Sequence, residues 1–245
     1  MSGHSHWAGI KHKKALIDAK KGKVFSRIAK EIILAAQRGG GDVDSNIALR
    51  AAIEAAKAVN MPRENIERAV KRGTGELPGM SYESLTYEGY GPHGIAILVE
   101  VVTDSRNRTA AELRKIFSLR GGKLEGSVAY LFEAKGLITV PVDAIGEDDL
   151  MALVIDAGAE DMTRQDRVYE ITTSPQDFHA VKTAITDKGL TPEMAELTRL
   201  PKDLIKLEGD ASRKALALLE ELDDHDDVKN VYTNFDVPAE LAEAT

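Results

Sequence analysis

The residues with the clearest chemistry lie within the first thirty positions. His4, His6, Trp7, Lys11, His12, Lys13, Lys14, Lys20, Lys21, Lys23, Arg27 and Lys30 place eight cations, three imidazoles and an indole in one short stretch. Closely spaced ammonium groups neutralise phosphate, and an indole beside them offers a face on which a base can stack. Lysines outnumber arginines in the cluster. That suits contact with a phosphate backbone better than bidentate reading of guanine edges, so strong sequence specificity is not implied. The alternative use of such a face is a solvated, snorkelling lysine fringe. Ser2-Gly3-His4 would present a free amine, two amides and an imidazole if the initiator Met were removed, the donor set of a square-planar copper(II) or nickel(II) site. Phosphate or base contact is the preferred use of these His, and no metal ligand is assigned.

The rest of the chain sharpens that reading. Residues 1–75 hold 15 Lys and Arg against 7 Asp and Glu, a net of +8, whereas the remaining 170 residues hold 17 against 33, a net of −16. A cationic module on an otherwise acidic chain points to a polyanionic partner at that end. Arg106 and Arg108 extend the candidate set. They sit at the start of a helix expected after Thr103-Asp104-Ser105, where two cations oppose the helix dipole, and they serve either an anion or nearby acidic side chains.

Other chemistries find little support. The absence of cysteine excludes disulfides, Cys-ligated zinc, iron–sulfur clusters and a thiol nucleophile. No H-E-x-x-H, G-x-S-x-G or P-loop is present. Gly89-Tyr90-Gly91-Pro92-His93-Gly94 matches G-x-G-x-x-G, but the run Ile95–Val99 that follows reads as a strand, whereas a dinucleotide fingerprint opens a helix. His93 is the only lone candidate for acid–base work. The run from Glu220 to Asp227 lacks the glycine and offsets of an EF-hand loop and reads as a solvated helix end. We expect no enzyme, no cofactor and no small-molecule substrate. No apolar run approaches the roughly 20 residues of a membrane span, and no secretory h-region opens the chain. The expectation is a cytoplasmic protein with no membrane partner.

The elements that must position these residues follow from periodicity. Val24, Phe25, Ile28, Ala29, Ile32, Ile33 and Ala36 form a helical stripe that should stop at Gly39-Gly40-Gly41. Asp44 or Ser45 can cap a second, alanine-rich helix, and Pro62 and Gly73 bracket a third. After Gly75 the period changes. Strands are expected at 85–87, 95–102 and 128–132, with a helix near 107–120 between the last two. From Gly136 the order reads strand 137–140, helix 148–157, strands 159–162 and 168–172, helix 175–188 and strand 193–199, the split βαβ order of ferredoxin-like folds. A helix at 211–222 and a strand at 230–235 remain to complete the earlier elements. The expected fold class is α+β: a basic three-helix bundle (1–75), a discontinuous ferredoxin-like domain (76–133 with 206–245) and a second ferredoxin-like domain inserted in it (134–205).

Gly3-His4-Ser5-His6-Trp7-Ala8-Gly9-Ile10-Lys11-His12-Lys13-Lys14, followed by Asp18-Ala19-Lys20-Lys21-Gly22-Lys23, closely resembles the YebC/PmpR family. Arg38-Gly39-Gly40-Gly41-Asp42, Tyr87-Glu88-Gly89-Tyr90-Gly91-Pro92, Asp104-Ser105-Arg106-Asn107-Arg108-Thr109 and Gly126-Ser127-Val128-Ala129-Tyr130-Leu131-Phe132 carry the likeness nearly end to end. The resemblance implies three domains and no catalytic residue or cofactor. It implies a non-enzymatic, DNA-binding regulator of transcription or, as in its mitochondrial relatives, a translational activator binding ribosomal RNA or tRNA. Departures are His6 where the family usually has Lys, His93 where it often has Gly, and a shortened loop at 122–126.

Overall fold

The computed structural model describes residues 21–165 and 167–238. Its elements run α1 (Lys21–Gly39), α2 (Ile47–Ala58), α3 (Arg63–Gly73), β1 (Glu83–Tyr90), β2 (Ala96–Thr103) and α4 (Arg106–Leu119). There follow β3 (Phe132–Pro141), α5 (Glu147–Asp156), β4 (Ala159–Gln165), β5 (Val168–Thr173), α6 (Phe178–Asp187) and β6 (Met194–Pro201). The chain closes with β7 (Ile205–Lys206), α7 (Gly209–Asp223), β8 (Val228–Thr233) and β9 (Phe235–Asp236). The class is α+β. Two compact units form: residues 130–204 make one, and the described residues before and after that stretch make the other.

In the larger unit the first three helices bury one apolar stripe each. Ile32, Ile33 and Ala36 of α1 meet Leu49 and Ala56 of α2 and Ile66 and Ala69 of α3, with Phe25, Ile28 and Ala29 packed at the margin. Small residues set the spacing. A Cβ at Gly73 would lie 2.5 Å from the Ala36 Cβ and 2.6 Å from the Ile33 carbonyl oxygen, so α1 and α3 touch backbone to backbone. α1 stops where expected, with Gly40 in the left-handed region at φ 81°.

The cap of α2 is Asn46, one residue beyond the expected Asp44 or Ser45. Its Oδ1 accepts the Leu49 N–H at 3.0 Å, while its Nδ2 donates to the carbonyls of Ala35 (2.9 Å) and Gly40 (2.8 Å). Only an amide offers an acceptor to the helix it caps and two donors to the end of the preceding helix. Asp42 takes the other two candidates, accepting the Asp44 N–H and the Ser45 hydroxyl at 3.0 Å each.

The same unit continues in an antiparallel sheet of order β1-β2-β8. β2 is central and almost wholly buried, which explains its unbroken apolar run Ala96–Val99. Leu113 and Phe117 of α4 and Ala215, Leu218, Leu219 and Leu222 of α7 are fully buried in this unit. β7 and β9 form a separate two-residue parallel pair. The glycine-rich stretch 89–94 is a β-hairpin connection: β1 and β2 pair antiparallel across it, which leaves no helix N-terminus for a pyrophosphate. Its first glycine is a packing residue, since a Cβ at Gly89 would lie 2.5 Å from the Lys123 carbonyl oxygen. His93 sits exposed at the hairpin tip with φ 58°.

The strand expected at 128–132 does not form. The Glu88 carboxylate accepts the N–H groups of Val128 (2.5 Å) and Ala129 (2.9 Å), taking donors that a ladder would need. Residues 129–131 make a single 3₁₀ turn instead, and Phe132 opens β3, five residues ahead of the expected start.

In residues 130–204 the order βαββαβ gives a four-stranded antiparallel sheet, β4-β5-β3-β6, the ferredoxin-like arrangement. Ile138, Val140 and Ile171 of its strands pack with Leu150 and Val154 of α5 and Val181 and Ile185 of α6.

Candidate nucleic-acid interface

Eight of the candidate binding residues, His4, His6, Trp7, Lys11, His12, Lys13, Lys14 and Lys20, lie outside the described residues, as does the Ser2-Gly3-His4 terminus. Lys21 opens α1, and its side chain is also outside the description. The structure places the other five, and it brings four of them to one spot.

Lys23, Arg27 and Lys30 fall at i, i+4 and i+7, which puts them on one face of α1. That face meets the C-terminal end of α7 and the turn that leads to β8. Lys23 Nζ donates to the Asp224 carbonyl at 2.9 Å, and Lys30 Nζ donates to the Asp226 carbonyl at 3.0 Å. Arg27 Nη2 donates to the Asp223 carbonyl and, at 3.3 Å, to that of His225. The last carbonyls of a helix lack intrahelical partners and carry the negative end of its dipole. Three cations from a neighbouring helix satisfy both needs.

The hub of this contact is Asp227. Its Oδ1 accepts from Lys30 Nζ at 2.6 Å, and its Oδ2 accepts from Arg108 Nη2 at 2.7 Å and from the Thr109 hydroxyl at 2.7 Å. Thr103 Oγ1 stands 3.2 Å from the same oxygen. The residue is only 5% exposed. Burial by itself would raise the carboxyl pKa. Hydrogen bonds from Lys30, Thr109 and Arg108 to the ionised form outweigh it and hold the group well below the usual carboxylate range. Arg108 is raised in turn by hydrogen bonds from its guanidinium to Asp227 and Asp104. The acidic run is therefore not simply a solvated helix end. Asp224 and Asp226 face solvent as expected, whereas Asp227 is the buried counter-ion of the basic helix.

Arg106 and Arg108, two residues apart, have different fates. Arg108 reaches Asp104 at 2.9 Å as well as Asp227. Arg106 is exposed, and its carbonyl accepts the Tyr87 hydroxyl at 3.2 Å. Its guanidinium forms no ion pair among the described residues. Arg38, Lys57, Arg68 and Lys71 of the bundle are likewise exposed.

Beside Asp227, one donor atom each from Glu112, His225 and Asp227 lie within 4.8 Å of one another. They do not suit a metal ion. The Asp227 N–H donates to His225 Nδ1 at 3.1 Å, which leaves the proton on Nε2, 3.0 Å from Glu112 Oε2. Both imidazole nitrogens are thus engaged, and the Lys30 and Arg108 cations on the carboxylate would repel a further positive charge.

Sequence reasoning missed Asp227, Thr103 and Thr109. One signal was available: Asp227 is the acid that directly precedes the apolar start of β8, so it is the member of the run most prone to be drawn inward. Tyr82 was also missed. Lys30 Nζ lies 5.9 Å from its ring centroid, over the same contact.

Helices ahead of mixed α+β units, with cations concentrated on the helices, define the class of this protein. Comparison with known proteins gives the particular family. Residues 5–76 match the TACO1/YebC protein N-terminal domain, and residues 82–235 match the TACO1/YebC second and third domain. The chain belongs to the TACO1/YebC family. A "probable transcriptional regulatory protein" of Dictyoglomus turgidum is 53% identical over 247 residues, covering 100% of this chain and 99% of the relative. A protein of the same name from Natranaerobius thermophilus is 50% identical, with 99% of each chain covered. Among solved structures, a conserved hypothetical protein from Aquifex aeolicus is 45% identical. It covers 96% of this chain and 98% of its own, with a TM-score of 0.83.

Proposed function

We propose that this protein is a non-enzymatic regulator of transcription that acts in the cytoplasm by binding DNA. The observation that carries the reading is the full-length similarity to proteins named probable transcriptional regulatory proteins. The charge distribution supplies a means, because the net +8 of residues 1–75 suits a phosphate backbone. The contact is assigned to His4, His6, Trp7, Lys11, His12, Lys13, Lys14, Lys20 and Lys21, with Arg106 available on the second module. Lys23, Arg27, Lys30 and Arg108 hydrogen-bond within the protein and join the contact only if those bonds are exchanged. No described helix is long and apolar enough to cross a membrane.

The test is fluorescence anisotropy with duplex DNA over a salt series, repeated with Lys13, Lys14, Lys20 and Lys21 all changed to Glu. The native chain should bind with an affinity that falls steeply with salt, and the variant should not bind while its circular dichroism stays unchanged. Equal affinity of the two proteins at moderate salt would overturn the basic-segment assignment. Cross-linking in cells separates the target classes. Enrichment at a few promoters supports transcription, and recovery of ribosomal RNA or tRNA without promoters would replace it with a role in translation.

A further inference from the structure

Three cations share one face of α1, and all three are already occupied. Their partners are the carbonyls of residues 223–226 and the Asp227 carboxylate, oxygen acceptors as the oxygens of a phosphate are. Besides these bonds, Lys229 Nζ pairs with Glu31 at 2.9 Å, again between the second module and α1. Added salt weakens the more exposed pairs, Lys23 with Asp224 and Lys229 with Glu31, and screens the buried Lys30–Asp227 pair much less. A cleft of about 720 Å³ opens beside the contact, where Lys23, Lys30, Arg108 and Lys115 stand among the carboxylates of Asp104, Glu112, Glu221, Asp224, Asp226 and Asp227. The segment joining the bundle to β1 runs exposed from Thr74 to Ser81, with Gly75 at φ 81°.

We infer that the acidic turn 223–227 is an internal stand-in for phosphate, which a nucleic-acid backbone displaces to gain Lys23, Arg27 and Lys30. The inference rests on the proposed DNA binding. In the free protein the turn holds the basic face shut and fixes α1 on the sheet module. On binding, three cations change partner from the turn to the backbone, α1 separates from α7, and Asp227 keeps Arg108, Thr109 and Thr103. The turn thereby sets a threshold: isolated anions, which cannot displace several bonds together, leave it closed, and a polymer of phosphates opens it.

The chain has no cysteine, so Glu54→Cys on α2 and Ser118→Cys on α4, both exposed, give a clean pair of dye sites on the full-length protein. Energy transfer and anisotropy are read together during titration with a 30-base-pair duplex and, separately, with inorganic phosphate. The expected result is loss of energy transfer in step with DNA binding and none with phosphate. Asp224→Asn with Asp226→Asn keeps the carbonyl bonds but removes two exposed negative charges of the turn, and should then bind DNA about tenfold tighter because the closed state is held less strongly. Asp148→Asn with Asp149→Asn in α5, an equal change of charge in the other unit, should gain much less. DNA binding with constant energy transfer, or equal gains from the two double variants, would overturn the inference and leave the proposed function standing. No DNA binding by any of these proteins would remove the proposed function and the inference with it.

Discussion

Asp227→Asn keeps the size of the side chain and removes its charge, which makes it the cleanest perturbation of the joint between the bundle and the sheet module. The native carboxylate is 5% exposed and accepts from Lys30, Arg108 and Thr109 at 2.6–2.7 Å. The amide retains one acceptor, so it can still serve the threonines, but it turns donor hydrogens toward one of the two cations. Each hydrogen bond to a charged group contributes roughly 1.5–3 kcal/mol, and removing one partner of a buried pair costs roughly 3–5 kcal/mol. Retention of the hydroxyl contacts puts the expected loss near the lower end, at about 3 kcal/mol. For a chain of this size that is a fall in melting temperature of roughly 6–12 °C. The assay is denaturant unfolding of both proteins at pH 7 and at steps below pH 4. The folded pKa of Asp227 is depressed, so its contribution is fully present above the ordinary carboxylate value and is lost as pH falls toward the folded one. The gap between native and variant should therefore close by about 1.4 kcal/mol per pH unit below about pH 4. A gap under about 1 kcal/mol at pH 7, or one that stays constant on acidification, would refute the assignment of Asp227 as the ionised hub.

Asn46→Ala removes the cap of α2 and both bonds to the end of α1, and should lower the stability of the bundle by about 2 kcal/mol, read from urea unfolding. Asn46→Asp restores the acceptor but not the donors, and should recover only part of that loss. Gly73→Ala drives a methyl to 2.5 Å from the Ala36 Cβ and should cost about 1–3 kcal/mol, with hydrogen-exchange protection falling in α1 and α3 and unchanged in β3–β6. Glu88→Gln weakens the hold on the 3₁₀ turn at 129–131. The Glu88 carboxyl is lowered by the backbone N–H groups of Ala129 and Val128, so its contribution is present above the ordinary value and lost as pH falls below it. Exchange of those two amides should accelerate in the variant at pH 7 and converge with the native rate on acidification.

The helices and the inserted βαββαβ order were legible because they are written in local periodicity. The stripe from Val24 to Ala36, the glycines after Arg38 and the alternation around Leu137–Val140 all act within a few residues of themselves. What escaped was decided across long separations. Residues 128–132 read as a strand by composition, but Glu88, some forty residues earlier, takes their amides. Asp44, Ser45 and Asn46 are equally good caps by residue type. The choice falls to Asn46 because the end of α1 presents two carbonyls that only an amide can satisfy while still capping. Asp227 meets Lys30 across 197 positions, and no local signal reports such a partner. For the binding site the legible part was the density of cations, and the illegible part was which of them the protein uses on itself.

That distinction alters what the charge asymmetry means. A count of +8 in residues 1–75 treats every cation as available to a partner, yet Lys23, Arg27 and Lys30 are matched by oxygens of the acidic half. The two halves of opposite charge are thus partly one electrostatic unit. The acidic turn neutralises the helix beside it, and the residual cationic field is carried by residues before it and by the exposed arginines and lysines of the bundle. An ion count taken from DNA binding discriminates between these states. Each phosphate neutralised contributes about 0.9 to the slope of log affinity against log salt, so recruiting the three α1 cations adds about 2.7 to that slope. Lys23→Met, Arg27→Met and Lys30→Met together should lower the slope by that amount if the helix reaches the backbone. The slope should stay where it is if the helix serves only the joint.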